Sequence, residues 1–325
     1  MFKSASYFRI NPDFVLPPLE ALEETLQATR FLPCGATETE SSGWIAPRGK
    51  KSLLLAESVG GQLILKLATE RRALPASAVK AALDERIDKY KQETGNERVG
   101  AKLKKEFKEE IVFELLPRAF TKRSATLLWL DPANKFLVVD SGSLSGADRI
   151  VTALIEVLSQ VRGAGPSLTV KPVRTNTSAA AAMSHWLATR EAPFAFSVDR
   201  DCELKTPDDQ KSTVRYSRHT LEIDEVPQHI ATGKVPTQLA MTWNERVSFV
   251  LSESGQLRKL KMLDVVMDGV QEGGKDDDGF DADVAIVTGE LGGLLPDLLE
   301  ALGGEVEEGA GAPAPAAAPA EAVAA

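Results

Sequence analysis

Four carboxylates, Asp276, Asp278, Asp281 and Asp283, fall within the stretch GGKDDDGFDAD at 273–283. Carboxylates so close together could hold two divalent ions and activate water against a phosphodiester, so a metal-dependent nuclease is one reading. Calcium is the other cation chemistry, because hard cations take several converging oxygens. That register fails: with Gly279 at the sixth loop position, Gly274 and Ala285 occupy the first and twelfth, where carboxylates are required. A solvated acidic loop is the simpler account of the stretch.

Other chemical patterns are weaker. The run GWIAPRGKKS, residues 43–52, has five residues between its glycines where a phosphate-binding loop has four, and one of them is Pro47. In Gly142-Ser143-Leu144-Ser145-Gly146, Leu144 stands where a nucleophile elbow places its serine, so a turn into a helix is expected. His185, His219 and His229 form no metal or triad spacing, and His185 beside Trp186 reads as structural. Cys34 and Cys202 form no ligand pattern and are expected to be buried thiols of a reducing cytosol. No cofactor is implied.

Basic residues are more informative. Between Arg98 and Arg123 eight Lys and Arg face four Glu, a net of +4 that includes Lys102, Lys104, Lys105 and Lys108. A solvated helix face with i,i+4 Lys/Glu pairing accounts for this equally well. Lys205, Lys211, Arg215 and Arg218 form a second group, interleaved with Tyr216 and His219. On a strand Lys211, Thr213, Arg215 and Ser217 share one face, while Val214 and Tyr216 share the other. Such a face could track phosphates without reading bases, giving salt-sensitive, sequence-independent binding.

The elements that must position these groups alternate between strands and helices. A strand is expected over Ser6–Ile10, and Pro17-Pro18 opens a helix with Leu19, Leu22 and Leu26 on one face. Strands Leu53–Val59 and Gln62–Thr69 meet at Gly60-Gly61, a hairpin turn. Ser77–Leu116 reads as two charged helices broken at Thr94-Gly95-Asn96 and Gly100, with stripes Val79, Leu83, Ile87, Tyr90 and Leu103, Phe107, Ile111, Leu115. A hairpin, Ala125–Leu130 and Lys135–Asp140, and a helix, Ala147–Val161, follow.

After a Gly-Pro loop come a helix at Ser178–Thr189 and strands at Phe194–Val198, Asp201–Lys205 and Ser212–Tyr216. Next are a helix at Asp224–Thr232 and strands at Gln238–Trp243, Arg246–Leu251 and Gln256–Met262. A strand at Val284–Thr288 and a helix at Leu291–Leu302 complete the expected body. The fold class is α+β, with antiparallel sheets and long charged helices. Its divisions are an N-terminal α+β part at 1–74, a helical basic region at 75–120, a hairpin plus helix at 121–165, a second α+β domain at 166–304, and a disordered Ala/Pro-rich acidic tail at 305–325.

Four segments, taken in order, resemble the RdgC family of bacterial recombination-associated proteins: RFLPCG with GWIAPRG at 30–35 and 43–49, LLPRAF at 115–120, FDADVAIVTGEL at 280–291 and LLEALGG at 298–304. The resemblance implies a non-catalytic DNA-binding protein whose two subunits close into a ring around duplex DNA. It also implies little sequence preference, a nucleoid location and antagonism of the RecA recombinase by occupying DNA. Ring closure requires two self-complementary interfaces. Phe120, directly after Pro-Arg-Ala at the end of the basic helix, is the candidate apolar anchor of one interface; its alternative is a core contact within the domain. The segment from Lys211 to His219, with Arg215 and Arg218, falls in the region that contributes the family's basic interior, and Lys205, Lys102, Lys104 and Lys105 are further candidate DNA contacts.

Composition bounds these readings. The 325 residues carry 38 Lys and Arg against 47 Asp and Glu, a net of −9 that argues against a nucleic-acid partner. The average hides an asymmetry. Residues 264–325 hold Lys275 alone against 15 acids, a net of −14, which leaves +5 on residues 1–263. An interaction protein using the acidic end as bait for basic partners is therefore a third reading, although the tail reads more simply as an aid to solubility. No stretch reaches the about 18 apolar residues of a membrane span, and MFKSASYFRINPD has no signal-peptide core, so a cytoplasmic location is expected.

Overall fold

Successive strand residues point to opposite faces, and β1, Ser4–Ile10, turns Phe8 and Ile10 into one core and Ala5, on its other face, into a second. Pro17-Pro18 then permits α1, Leu19–Ala28, because proline needs no N–H at a helix start. The computed structural model describes residues 2–49, 52–163, 165–207, 212–267 and 279–306. Leu22 and Leu26 of α1 are fully buried, whereas Leu19, expected on the same stripe, is 38% exposed at the first turn.

The following strands are β2, Glu40–Trp44, β3, Ala56–Val59, and β4, Gln62–Ala73. β2 was not anticipated, because its sequence ESSGW has no apolar alternation. The strand expected from Leu53 begins only at Ala56, and Leu53 and Leu54 are exposed. The Gly60-Gly61 turn does join β3 to β4, with φ of +57° and +82°, values open to glycine at no steric cost.

Two helices, α2, Ala76–Thr94, and α3, Ala101–Leu115, form an antiparallel arm, with Gly95 ending α2 in the left-handed conformation. Only Val79 and Ile111 of the two stripes are fully buried, and the other stripe residues are half-buried between the helices. Tyr90 meets Phe107 edge to face with centroids 5.7 Å apart. Arg86 bridges to Glu110 at 3.2 Å and Glu114 at 2.9 Å. A 3₁₀ turn, Leu116–Arg118, leads from the arm into β5, Phe120–Asp131.

β6, Phe136–Val139, and α4, Leu144–Gln160, follow, with Ser143 capping α4 by accepting the Gly146 N–H. The Gly142–Gly146 run is thus a turn into a helix, as its sequence implied. The second half contains β7, Val170–Pro172, α5, Ala179–Thr189, β8, Phe196–Lys205, β9, Thr213–Tyr216, and α6, Glu225–Ala231. It continues with β10, Val235–Trp243, β11, Val247–Ser252, β12, Leu257–Met262, α7, Asp264–Met267, and α8, Phe280–Ala301.

Two further expectations are corrected. The strands placed at Phe194–Val198 and Asp201–Lys205 are one strand, β8, with an irregularity opposite β10, and Phe194 lies before it, 96% exposed. Val284–Thr288 is helical, not extended. Val284, Val287, Leu291, Leu294, Leu295 and Leu298 repeat at helical spacing and are all buried, so tertiary packing overrides the β-branched run.

Among the described residues twelve strands form one sheet in the order β2-β4-β5-β6-β1-β12-β11-β10-β8-β9, with β3 on β4 and β7 on β1. All named strand pairs are antiparallel, and the fold is mixed α+β. One core lies under α1 and α4, where Phe8, Leu65, Leu128 and Leu137 meet Leu22, Leu26 and Leu154. The other gathers Trp129, Leu239, Phe249 and Leu257 with Trp186 of α5 and the stripe of α8.

The segments that carry the family resemblance are joints of this framework. Phe31 passes directly over Gly43, where an added Cβ would lie 2.5 Å from the Phe31 Cα, so only glycine fits. The Arg72 guanidinium donates to the carbonyls of Leu116 at 3.0 Å and Gly35 at 3.0 Å, tying LLPRAF to RFLPCG. Arg48 bonds Glu57 at 3.0 Å and Asp281, and stacks on Phe280, tying GWIAPRG to α8. The acidic end is therefore not separate from the basic body. Asp281 pairs with Arg48, Glu290 with Arg246 and Glu305 with Arg9, so three of its acids neutralise arginines of the body.

Candidate nucleic-acid interface

The stripes of α5 and α8 lie in a core on one face of β12-β11-β10-β8-β9. The reverse face carries Lys205, Thr213, Arg215, Gln238, Thr242, Ser248, Val250, Arg258 and Lys261, among which there is no aromatic ring. Alternation in β9 is as expected: Thr213 and Arg215 are exposed, Val214 and Tyr216 half-buried.

Glu203 organises this face. Its side chain is only 4% exposed, and it accepts from Lys205 at 2.7 Å, from Arg215 and from the Thr237 hydroxyl at 2.9 Å. The Lys205 and Arg215 hydrogen bonds hold its carboxyl down at about 2, against the opposing effect of burial. Arg215 is nevertheless 69% exposed, so its fork is both anchored and presented to solvent. On the core side the Cys202 thiol is pushed up to about 12, chiefly by burial and then by Glu203, and is inert as a nucleophile.

Because the Glu203 pKa is depressed on folding, its contribution is present above the ordinary carboxylate range and is lost as pH falls through that range toward 2. Glu203→Gln should cost about 3 kcal/mol at neutral pH, the lower end of the range for breaking a buried pair because both cations keep partial solvation. Denaturant unfolding at stepped pH checks this. The gap between wild type and variant should close between about pH 4.5 and 2, and a gap independent of pH would refute the assignment.

Arg218 has φ +54° and donates its N–H to Asp201 at 2.7 Å, and His219 Nδ1 lies 2.7 Å from the Thr220 carbonyl. Tyr216 lies between His219 and His229, with centroids 6.0 and 6.4 Å away. Lys211 lies outside the described residues. The structure thus brings Lys205, Arg215, Arg218 and His219 together around β8 and β9. Lys102, Lys104 and Lys105 sit on the first turns of α3, exposed, with Lys105 3.8 Å from Glu109. No hydrogen bond or ion pair among the described residues links the arm lysines to the sheet group.

Phe120 does not end the helix. It opens β5 opposite Ala73 and is 88% exposed, so the alternative of a core contact is removed. His185 is exposed on α5 while Trp186 is buried. Cys34 is only half-buried, its thiol bonded to the Glu70 carbonyl at 3.1 Å. Asp276 and Asp278 lie outside the described residues, and Asp281 is paired with Arg48. Among the described residues no group of three His, Cys, Asp or Glu is placed to hold a metal ion, and no helix is long and apolar enough to cross a membrane.

Sequence reasoning missed three cations, Arg258, Lys259 and Lys261 of β12. Their signal was in the sequence LRKLKM, where a doubled cation breaks the alternation set by Leu257, Leu260 and Met262.

Fold and site together define a mixed α+β protein built around one broad sheet, with a charged, aromatic-free face and an exposed phenylalanine beside a helical arm. The family model described as "Putative exonuclease, RdgC" matches residues 1–305. The recombination-associated protein RdgC of Herminiimonas arsenicoxydans is 39% identical over 305 residues, covering 94% of this chain and 98% of that protein. Its counterpart in Dechloromonas aromatica is 39% identical over 311 residues, 94% and 99% of the two chains. That of Bordetella pertussis is 36% identical over 305 residues, 94% and 98%. The chain belongs to the RdgC family.

Proposed function

We propose that this protein is a non-catalytic, sequence-independent DNA-binding protein that closes as a homodimeric ring around duplex DNA and limits access of a RecA-type recombinase. The observation that carries the reading is the uncovered sheet face, where Lys205, Arg215, Arg258 and Lys261 stand among hydroxyl and amide side chains, the first two anchored on Glu203 and Arg258 on the Gly142 carbonyl. Cations on a rigid face neutralise phosphates, whereas reading single strands generally needs exposed rings on which bases stack. Duplex backbone is therefore the favoured ligand over single strands. The names of the relatives place the family in recombination. Phe120, exposed at the start of a sheet strand, supplies an apolar anchor for a second copy, and Lys102, Lys104 and Lys105 extend the basic surface along the arm. The site of action in this reading is the cytoplasm, on the nucleoid.

Retention on DNA tests the ring. Linear duplex should load more readily than closed circles. Once loaded, closed circles should keep the protein through a high-salt wash and release it when cut. Equal loss from cut and uncut circles would refute encirclement. A second reading, the metal-dependent nuclease, is favoured by the family description and by Asp281 and Asp283 in the first turn of α8. Magnesium or manganese in the same incubation decides it: shortened DNA would make the protein an enzyme.

A further inference from the structure

β12 contains one residue more than its partner requires. Val250 pairs with Arg258 and Ser248 with Lys261, so two steps along β11 oppose three along β12. This is a β-bulge, and the extra residue is accommodated by Lys259 at φ +52°, a conformation unusual for a side chain longer than Asn. Leu257 and Leu260 both remain in the core, three positions apart. A regular strand would send every second residue to each face, and would put Lys259 on the core side opposite Arg258.

The bulge instead turns Lys259 toward a hollow of about 230 Å³ on the open sheet face, whose polar lining includes Arg215, Ser217, Gln238 and the carboxylates Asp201 and Glu203. Glu203 at the hollow is paired with Arg215 and Lys205, and Asp201 accepts the backbone N–H of Arg218, so both carboxylates are hydrogen-bonded. Lys259 is exposed and forms no ion pair among the described residues. Two cations from strands at opposite ends of this half-sheet, with an amide and a hydroxyl beside them, border a space large enough to admit a phosphate group.

Resting on the DNA-binding reading above, we propose that this hollow seats one backbone phosphate of duplex DNA, with Lys259 and Arg215 as its ligands and the β12 bulge as the device that aims Lys259. The guanidinium supplies a fork for two phosphate oxygens, and the ammonium a point charge on the other side.

Fluorescence anisotropy of full-length protein with a labelled duplex, titrated with NaCl, tests the seat. Lys259→Gly keeps the backbone conformation and removes the charge. It should weaken binding roughly 3–10-fold at low salt and reduce the slope of log K against log[NaCl] by about 1 per seat. Lys259→Arg should restore both. A wild-type slope in Lys259→Gly, with the wild-type protein binding normally, overturns the seat and leaves the DNA-binding reading intact. Absence of salt-dependent binding by the wild-type protein overturns both. Inorganic phosphate that raises the melting temperature in a Lys259-dependent way, while DNA affinity ignores Lys259, would mark a free-anion site and also overturn the proposal.

Discussion

Between 50 and 200 mM NaCl, the affinity of this protein for duplex DNA is expected to fall by about 10³-fold or more. The magnitude follows from counting. Lys102, Lys104, Lys105, Lys205, Lys211, Arg215 and Arg218 are seven candidate phosphate contacts of one subunit, besides the cations of β12, and a protein that displaces counterions from six to ten phosphates loses about 10³–10⁵ over that interval. The overall charge of −9 does not prevent this, because counterion release depends on cations at the phosphate surface. Two of the seven are already shared with Glu203, which moderates the slope. Equilibrium titrations at four or more salt concentrations, on two unrelated duplex sequences, measure it. Parallel lines with a steep slope are the expected result. A flat line, or one that differs between the sequences by more than tenfold, would refute backbone binding.

The second large effect belongs to Phe120. An aromatic side chain that is 88% exposed on a rigid strand adds little to its own domain, so Phe120→Ala should leave the fold of the subunit intact and lower the melting temperature only at concentrations where the wild type is dimeric. Its expected role is as an anchor in a self-complementary interface, where truncating a buried aromatic costs about 2–3 kcal/mol, or roughly 30–150-fold in self-association. The platform is preorganised. Arg72 holds the carbonyl of Leu116 in the turn just before it, and residues Phe120–Ala73 close the β4–β5 ladder. Sedimentation across a concentration series should show dimer in the wild type and a large monomer fraction in the variant, with retention on closed circles lost in parallel. An unchanged dimer would remove Phe120 from the interface.

Much of the fold was legible in the sequence because its signals are local. Glycine at Gly60-Gly61 and proline at Pro17-Pro18 act through φ alone, and the helices of the arm announce themselves by spacing. Where the expectation failed, neighbours distant in sequence had decided the outcome. Val284–Thr288 is β-branched but helical, because the stripe continuing to Leu298 packs into the core with Trp243 and Phe249. β2 forms from a polar run because β4 offers its edge and Phe31 crosses Gly43.

The site divides along the same line. Residue types are legible along the chain: a basic segment around strand β9, charged helices, an exposed-or-buried question at Phe120, and motifs specific enough to indicate the family. Tertiary structure alone decided which charges are free to act. Glu203 is buried opposite Arg215 through strand pairing, three acids of the C-terminal part neutralise Arg9, Arg48 and Arg246, and a bulge turns Lys259 outward. The physical reason is that composition sums charge along the chain, whereas electrostatic attraction depends on distance and on which partners already occupy each group.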